Sequence, residues 1–144
     1  MEKISFDSGV KEYRINGAGV LRFNPADPNV YARFMEAADR IGEVEEEITA
    51  KAQQVGDSGA EALKLMAQAD QKIKKILDWV FGEHNSFDKI LGGVNLLAVA
   101  GNGERVIVNL LSVLEPIMLS GAEECARKTA EQAVVKAKER RAKQ

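Results

Sequence analysis

Cysteine and histidine are almost absent from this sequence, which holds only Cys125 and His84. A single cysteine cannot form an intrachain disulfide, and this composition is typical of proteins in a reducing cytoplasm. Because no two cysteines or histidines stand at metal-ligand spacing, we predict no metal site and no cofactor. His84 stands beside Asn85 and Ser86, so we interpret it as a polar linker residue rather than a catalytic base. The chain is therefore not predicted to be an enzyme.

A strong excess of either charge is also lacking, since the formal net charge is −2. A nearly neutral chain is not expected to bind nucleic acid over its whole surface. The most apolar segment, residues 94–119, is divided at residues 101–105 into halves shorter than the roughly 20 residues of a membrane span. Residues 1–8 mix charged and apolar side chains, unlike a secretion signal. These features favour a cytoplasmic protein that does not enter the membrane.

Two short stretches of alternating apolar and polar residues predict an antiparallel β-hairpin over residues 10–24. Its shared apolar face would consist of Tyr13, Ile15, Leu21 and Phe23. Asn16-Gly17 is a strong hairpin-turn signal, and the two residues after it indicate a longer or bulged turn. Residues 3–6 are interpreted as a further short strand.

Two long amphipathic helices are predicted after the hairpin, packed against each other in antiparallel fashion. Asp27 before Pro28 is typical of a helix start, and Ser58 with Glu61 forms a capping box for the second helix. Apolar residues recur at spacings of three and four in both helices, and Asp70 interrupts the second series. The expected core residues of this pair are Phe34, Ile41, Ile48, Leu63, Ile73 and Leu77.

Opposite charges are expected to face each other across this helical pair. The glutamates of residues 43–47 should lie level with Lys72, Lys74 and Lys75. Exposed ion pairs contribute only ~0–1 kcal/mol each, so we expect them to favour one helix orientation rather than to stabilise the fold strongly.

The apolar segment 105–119 predicts a helix that is apolar around most of its circumference, with a kink or break at Pro116. The β-branched residues near its start leave open an alternative β-hairpin formed by residues 96–100 and 105–110. Ser120 with Glu123 reads as a capping box that opens a separate final helix.

The overall prediction is a mainly helical α+β protein with a small N-terminal antiparallel β-hairpin. Residues 1–135 should form one globular domain, with the hairpin in residues 10–24 and the helical part in residues 27–135. Residues 136–144 should form a basic, frayed tail, which lacks the aromatic residues that would favour RNA binding.

A compact motif joins the second helix to the apolar segment. Gly82 is expected to end that helix, and Asn85 or Ser86 to cap a short helical turn at residues 87–91. Phe81-Gly82-Glu83 and Asp88-Lys89-Ile90-Leu91-Gly92-Gly93 resemble a pair of elements in the small tail assembly chaperones of long-tailed, siphovirus-like bacteriophages. The order of elements along most of the chain is similar too, although Leu91 stands where that family often has phenylalanine.

This resemblance implies a non-enzymatic chaperone in the cytoplasm of a host bacterium, whose partner is the phage tape-measure protein. A structural subunit of a phage tail or tail-like particle, or another helical protein-interaction module, is the alternative. The apolar helix has more apolar perimeter than a small core covers, so we also expect a homo-oligomer. The candidate partner-binding residues are Trp79, Phe87, Val106, Leu110, Val113 and Leu114.

Overall fold

The computed structural model describes residues 1–143 and confirms the predicted fold class: a mainly helical chain with a two-stranded antiparallel β-hairpin at its N-terminal end. The elements are β1 (Lys11–Ile15), β2 (Gly19–Phe23), α1 (Pro28–Val55), α2 (Gly59–Phe81), α3 (Phe87–Ile90) and α4 (Val106–Ala142). The α1–α2 pair forms the main helical contact, and the hairpin, α3 and the first half of α4 pack around it.

The hairpin has the predicted face and the predicted longer turn. Tyr13 pairs with Leu21, and both side chains lie on the face that packs against the core. Asn16 and Gly17 take positive φ angles of 49° and 77°, and the amide of Ala18 donates to the carbonyl of Ile15 at 3.1 Å. Two consecutive positive φ angles match the twist of a hairpin, which explains the Asn-Gly sequence.

The prediction of a strand at residues 3–6 is wrong. Ile4 and Phe6 alternate as strand residues do, but they are 92% and 82% exposed, and the sheet contains only β1 and β2. Ser8 is the first residue tied to the body, through a hydrogen bond from Asn24 Nδ2 to its carbonyl at 3.0 Å. A strand needs a partner edge, and none lies beside the first seven residues.

Both long helices begin where the capping signals predict. The Asp27 carboxylate accepts a hydrogen bond from the Asn29 amide at 2.9 Å, and Ser58 Oγ accepts one from the Glu61 amide at 3.5 Å. Gly42 lies inside α1 without ending it. These local signals are independent of tertiary contacts, which is why the sequence alone located them.

Most of the predicted helical core is confirmed. Ile41, Ile73 and Leu77 are at most 5% exposed, while Phe34 and Ile48 are half-buried against the core. Leu63 is a correction, since it is 67% exposed. The face of α2 that meets α1 continues through Ala62, Leu65, Met66 and Ala69, and Leu63 lies to the solvent side of that face.

The segment between α3 and α4 is an ordered loop whose Leu96 and Leu97 are buried. The alternative β-hairpin in this region is reduced to one isolated bridge between Val99 and Arg105. The Ala100 amide donates to the Glu104 carbonyl at 2.7 Å, and α4 begins immediately afterwards at Val106. The helical interpretation of the apolar segment is therefore correct.

Helix α4 is continuous, so the predicted break at Pro116 and the separate helix start at Ser120 are both wrong. Pro116 removes the hydrogen bond to the Ser112 carbonyl, but both residues are exposed, so water can satisfy that oxygen. Gly121 holds the helix against the body, because a Cβ atom there would lie 1.8 Å from the carbonyl oxygen of Pro25. A close approach to a second backbone explains this glycine better than a helix boundary does.

The continuity of α4 also changes the membrane argument. An 18-residue stretch of α4 has a mean hydropathy of 1.5, and 22% of it is buried in the structure. By length and composition alone, α4 passes the criterion for a membrane-crossing helix. The division at residues 101–105 precedes this helix and so does not shorten it. The absence of a membrane span remains a prediction.

The predicted tail differs in form from the expectation, since α4 extends through residues 136–142 as a helix. Every described side chain from Ala126 onward is exposed, and Gln144 lies outside the described residues. The second half of α4 therefore extends into solvent beyond its contact with Pro25.

The helical pair gives a paired test of core and surface positions. Leu77→Ala should lower the free energy of unfolding by ~2–5 kcal/mol, because it empties a fully buried site between α1 and α2. Leu63→Ala, the matched control in the same helix, should change it by less than ~0.5 kcal/mol. Urea unfolding followed by circular dichroism measures both values. Equal losses at the two sites would contradict the observed face of α2.

The exposed end of α4 gives a second test. Ending the chain after Val135 should shift Tm by less than ~2–4 °C, the change that accompanies 1 kcal/mol in a domain of this size. The removed side chains contact no other element, so little burial is lost. A fall of about ten degrees in a calorimetric scan would show that the tail is docked on the folded body.

Candidate protein-binding groove

An open apolar groove lies between the hairpin, the residues after α3 and the first half of α4; we call it the hairpin–α4 groove. Its apolar lining consists of Tyr13, Ile15, Leu91, Val94, Val106, Leu110, Val113, Leu114 and Ile117. Val113 projects most strongly, with 62% of its surface exposed, whereas Leu114 is 3% exposed and forms the floor. Arg14, Asn16 and Asn109 add polar groups to the lining. An apolar surface with a few polar groups is typical of a site for another protein's side chains.

Four of the six candidate partner-binding residues line this groove: Val106, Leu110, Val113 and Leu114. Because Leu114 is buried against the core, it supports the groove and offers little of its own surface to a partner. The sequence identified the correct helix because apolar residues occupy more than one side of it. The sequence did not identify the opposite wall, because Tyr13 and Ile15 lie more than ninety positions away along the chain.

Phe87 and Trp79 lie elsewhere. Phe87 is 1% exposed and packs against Phe81 with 5.5 Å between ring centroids, so its burial removes it from the accessible surface. Trp79 is half-buried, and the Arg40 guanidinium lies 4.1 Å from the centre of its ring. This cation–π contact links α2 to α1, and Trp79 does not line the groove.

The hairpin wall is attached to the body by Asn85, a residue that is 2% exposed. Its Oδ1 accepts from the Arg22 amide at 2.8 Å, while its Nδ2 donates to the carbonyls of Arg22 at 2.8 Å and Phe81 at 2.9 Å. The side chain thus acts as a short neighbouring strand for β2. Asn85 was an alternative candidate for the helix cap, but Ser86 caps α3 by accepting from the Lys89 amide at 3.4 Å.

Gly19 brings the hairpin close to α3. A Cβ atom at this position would lie 2.2 Å from the carbonyl oxygen of Ile90, so any larger residue would push the two elements apart. Leu91 follows directly and contributes to the groove wall. The extra glycine of the hairpin turn is therefore explained by packing rather than by backbone conformation alone.

A buried ion cluster positions the other wall. Lys74 Nζ lies 2.8 Å from Asp70 Oδ2 and 2.7 Å from Asp88 Oδ1, and the Lys74 side chain is 3% exposed. Asp70 Oδ1 also accepts from the Leu96 amide at 2.7 Å. The cluster therefore joins α2 to α3 and to the loop that carries Val94. We call Asp70, Lys74 and Asp88 the acid–lysine cluster.

Electrostatics in this region follow from burial and pairing. Burial acts to lower the pKa of Lys74, but the hydrogen bonds to Asp70 and Asp88 outweigh it, so the pKa is raised above 10.5. This placement corrects the sequence prediction that Lys74 faces the glutamates of α1. Lys72 does so instead, with its Nζ 3.2 Å from Glu47 Oε1. Sequence periodicity could not separate the two lysines, since the deciding partner, Asp88, belongs to another element.

Asp78 holds the start of α3. Its Oδ1 accepts a hydrogen bond from the Phe87 amide at 2.8 Å. Burial raises the pKa of Asp78, and the negative charges of Asp88 and Glu83 add to that effect, against the Phe87 amide. The acid at this position therefore serves to bond a backbone donor rather than to carry out proton transfer on a substrate.

The groove offers contact surface rather than an arrangement of reacting groups. Asn102 Nδ2 donates to Asn109 Oδ1 at 2.9 Å, which fixes one polar group at its edge. Across residues 1–143, no three cysteine, histidine or acidic side chains are grouped so as to hold a metal ion. What the described geometry supports is burial of another molecule's apolar side chains.

Comparison with known proteins found no matching family model, no matching curated protein and no matching solved structure. The resemblance to tail assembly chaperones therefore stands on the quoted motif and the order of elements. The geometry of the groove is a separate line of support, since it was obtained from the folded chain.

The acid–lysine cluster gives a stability test with a pH signature. Lys74→Met should destabilise the fold by ~3–5 kcal/mol, because it leaves Asp70 buried without its cation. Lys75→Met, an exposed neighbour in the same helix, is the matched control and should cost less than ~0.5 kcal/mol. Urea unfolding at several pH values measures both.

The sign of the pH effect follows from the raised pKa of Lys74. The stabilisation should be complete below 10.5, the ordinary lysine value, and should be lost as the pH rises through the higher folded value. The difference between wild type and Lys74→Met should thus stay constant near neutrality and shrink in strongly alkaline buffer. A difference that is small at neutral pH would contradict the role given to this lysine.

Proposed function

We propose that this protein is a non-enzymatic phage tail assembly chaperone that binds amphipathic helical segments of the tape-measure protein. The observation that carries the proposal is the hairpin–α4 groove, where Val106, Leu110 and Val113 lie together with apolar side chains of the hairpin. A tape-measure protein presents long helices that need cover until the tail tube forms around them, and an open apolar groove supplies such cover.

The dimensions of the groove suit a helix. The lining residues of α4 run from Val106 to Ile117, a distance of roughly 17 Å at 1.5 Å per residue. Three turns of a partner helix cover that length, so the partner can place side chains at i, i+3 or i+4, and i+7 along the groove. Shallow contact over three turns favours reversible binding, as a chaperone requires.

The resembling motif occupies the base of this groove. Gly82 ends α2 with a φ of 105°, and Gly92 and Gly93 take φ angles of 64° and 77° where the chain leaves α3. Asp88 between them belongs to the acid–lysine cluster. The motif residues thus position Leu91 and Val94 rather than contacting solvent as a separate site. This structural role supports treating the motif and the groove as one functional unit.

A structural subunit of a phage tail or tail-like particle is the second candidate function. The exposed second half of α4 favours it, since an incorporated subunit needs surface for permanent neighbours. Mass spectrometry of purified particles separates the two candidates: a chaperone is absent from the particles and a subunit is present. In both cases we place the protein in the cytoplasm of the host bacterium during assembly.

The groove is tested by a matched pair of substitutions on α4. Val113→Asp places a charge inside the groove and should abolish retention of a co-expressed tape-measure protein, because the carboxylate would be buried without a partner. Leu119→Asp, at 55% exposed and outside the groove, should leave retention unchanged. Affinity pull-down measures retention, and circular dichroism verifies that both variants keep wild-type helicity.

Two results would end the chaperone proposal. One is a folded wild-type protein that fails to retain the tape-measure protein. The other is recovery of the wild-type protein in the membrane fraction, which would assign the apolar stretch of α4 to a lipid bilayer. Equal retention by Val113→Asp and wild type would keep the partner but move its binding site away from the groove.

A further inference from the structure

The second half of α4 carries positive charge that no residue of the same copy uses. Residues 136–143 contain five basic side chains and one acid, Glu139, whereas the whole chain has a net charge of −2. Every described side chain in this stretch is exposed, and the ion pairs among residues 1–143 include none of them. Val134 and Val135, immediately before it, are 55% and 54% exposed.

A second groove, formed by the later turns of α1, the early turns of α2 and the start of α4, has the opposite character; we call it the acidic groove. Apolar side chains line it, including Ile48, Met66, Leu97 and Val108. Glu45 lines the same groove, and Glu46 stands beside it on α1. Both glutamates are exposed, and neither belongs to an ion pair within the described residues, whereas Glu47 pairs with Lys51 and Lys72.

These two surfaces cannot meet within one copy. Val108, near the start of α4, lies beside the later turns of α1, and Gly121 lies against Pro25, just before α1 begins. Helix α4 therefore runs back along α1 and passes its first residue. Its last turn, near Arg141, ends ~30 Å beyond Gly121 at 1.5 Å per residue, on the side away from Glu45.

We propose that the C-terminal end of α4 docks in the acidic groove of a second copy of this chain. Val134 and Ala137 share one helical face, where they can meet the apolar lining, and Lys138 and Arg141 lie beside them opposite Glu45 and Glu46. Charge complementarity and matched apolar surface select a second copy over an unrelated partner.

The contact is head-to-tail, because the two surfaces are different parts of the molecule. Each copy that donates its helix end still has an open acidic groove. Such heterologous contacts grow into a ring or an open chain rather than stopping at a dimer. The proposal goes beyond the chaperone function and does not depend on it.

A reciprocal charge exchange tests the proposal. One variant carries Lys138→Glu with Arg141→Glu, and the other carries Glu45→Lys with Glu46→Lys. All four positions are exposed, so circular dichroism should show unchanged folding. Each variant alone sets like charges against each other and should sediment as a monomer, whereas the wild type should contain larger species. Glu83→Lys with Glu104→Lys, which makes the same charge change outside the groove, should behave as wild type.

The decisive sample is an equimolar mixture of the two exchanged variants. Its acidic helix end matches the basic groove and its basic helix end matches the acidic groove, so alternating copies should restore the larger species. Sedimentation velocity after nuclease treatment measures this in buffer of about 0.05 M salt. Salt of about 1 M, where the screening length falls to roughly 3 Å, should return the wild type to the monomer.

Specific outcomes would overturn the proposal. A wild-type protein that stays monomeric at low salt contradicts it, and so does a mixture that fails to restore assembly. If only the helix-end variant loses assembly, α4 pairs with another surface, such as a second α4. If nuclease alone disperses the wild type, the basic end binds nucleic acid instead of a second copy.

Discussion

Lys74 holds its ammonium group in a nearly dry position on α2, where it meets Asp70 from its own helix and Asp88 from α3. Desolvating these groups is costly, and the attraction between them offsets that cost only while all partners remain in place. Asp70 also receives the amide of Leu96, so the same carboxylate satisfies a buried donor of the following loop. The arrangement of α3, the loop and the start of α4 depends on this one cluster.

The hairpin is attached by a different kind of contact at the same end of α2. Asn85 closes the outer edge of β2, and Phe23 packs on Phe81 with 4.8 Å between ring centroids. Phe81 in turn packs against Phe87. One end of α2 therefore holds both walls of the hairpin–α4 groove: the hairpin through Asn85 and the aromatic rings, and the loop through Lys74.

Local signals made much of this fold predictable. The alternation in the hairpin, the caps at Asp27 and Ser58, and the glycine at position 82 each act within a few residues, so the sequence was sufficient. The failures share a cause. Leu63, Lys74 and Asn85 are placed by partners from other elements, and no short-range pattern encodes such partners.

The continuity of α4 was missed for a related reason. Pro116 and the Ser120 capping pattern are genuine local signals for a boundary, but water access at Ser112 and the packing of Gly121 against Pro25 override them. The candidate groove was half predictable: its α4 wall follows from the excess of apolar residues there. Its hairpin wall required the fold, because Tyr13 reaches α4 only through the attachment made by Asn85.

A single uninterrupted helix gives the two proposed surfaces a fixed relation. Ile117, at the end of the hairpin–α4 groove, and Ala142 are separated by roughly 38 Å of continuous helix. Under the head-to-tail proposal, that rigid distance sets the spacing between neighbouring copies and hence between their grooves. Weak sites repeated at a regular spacing bind a long repetitive helix far more tightly than one site does. A break at Pro116 would have removed this spacing, so the persistence of the helix through the proline bears directly on how such a small domain can cover a long partner.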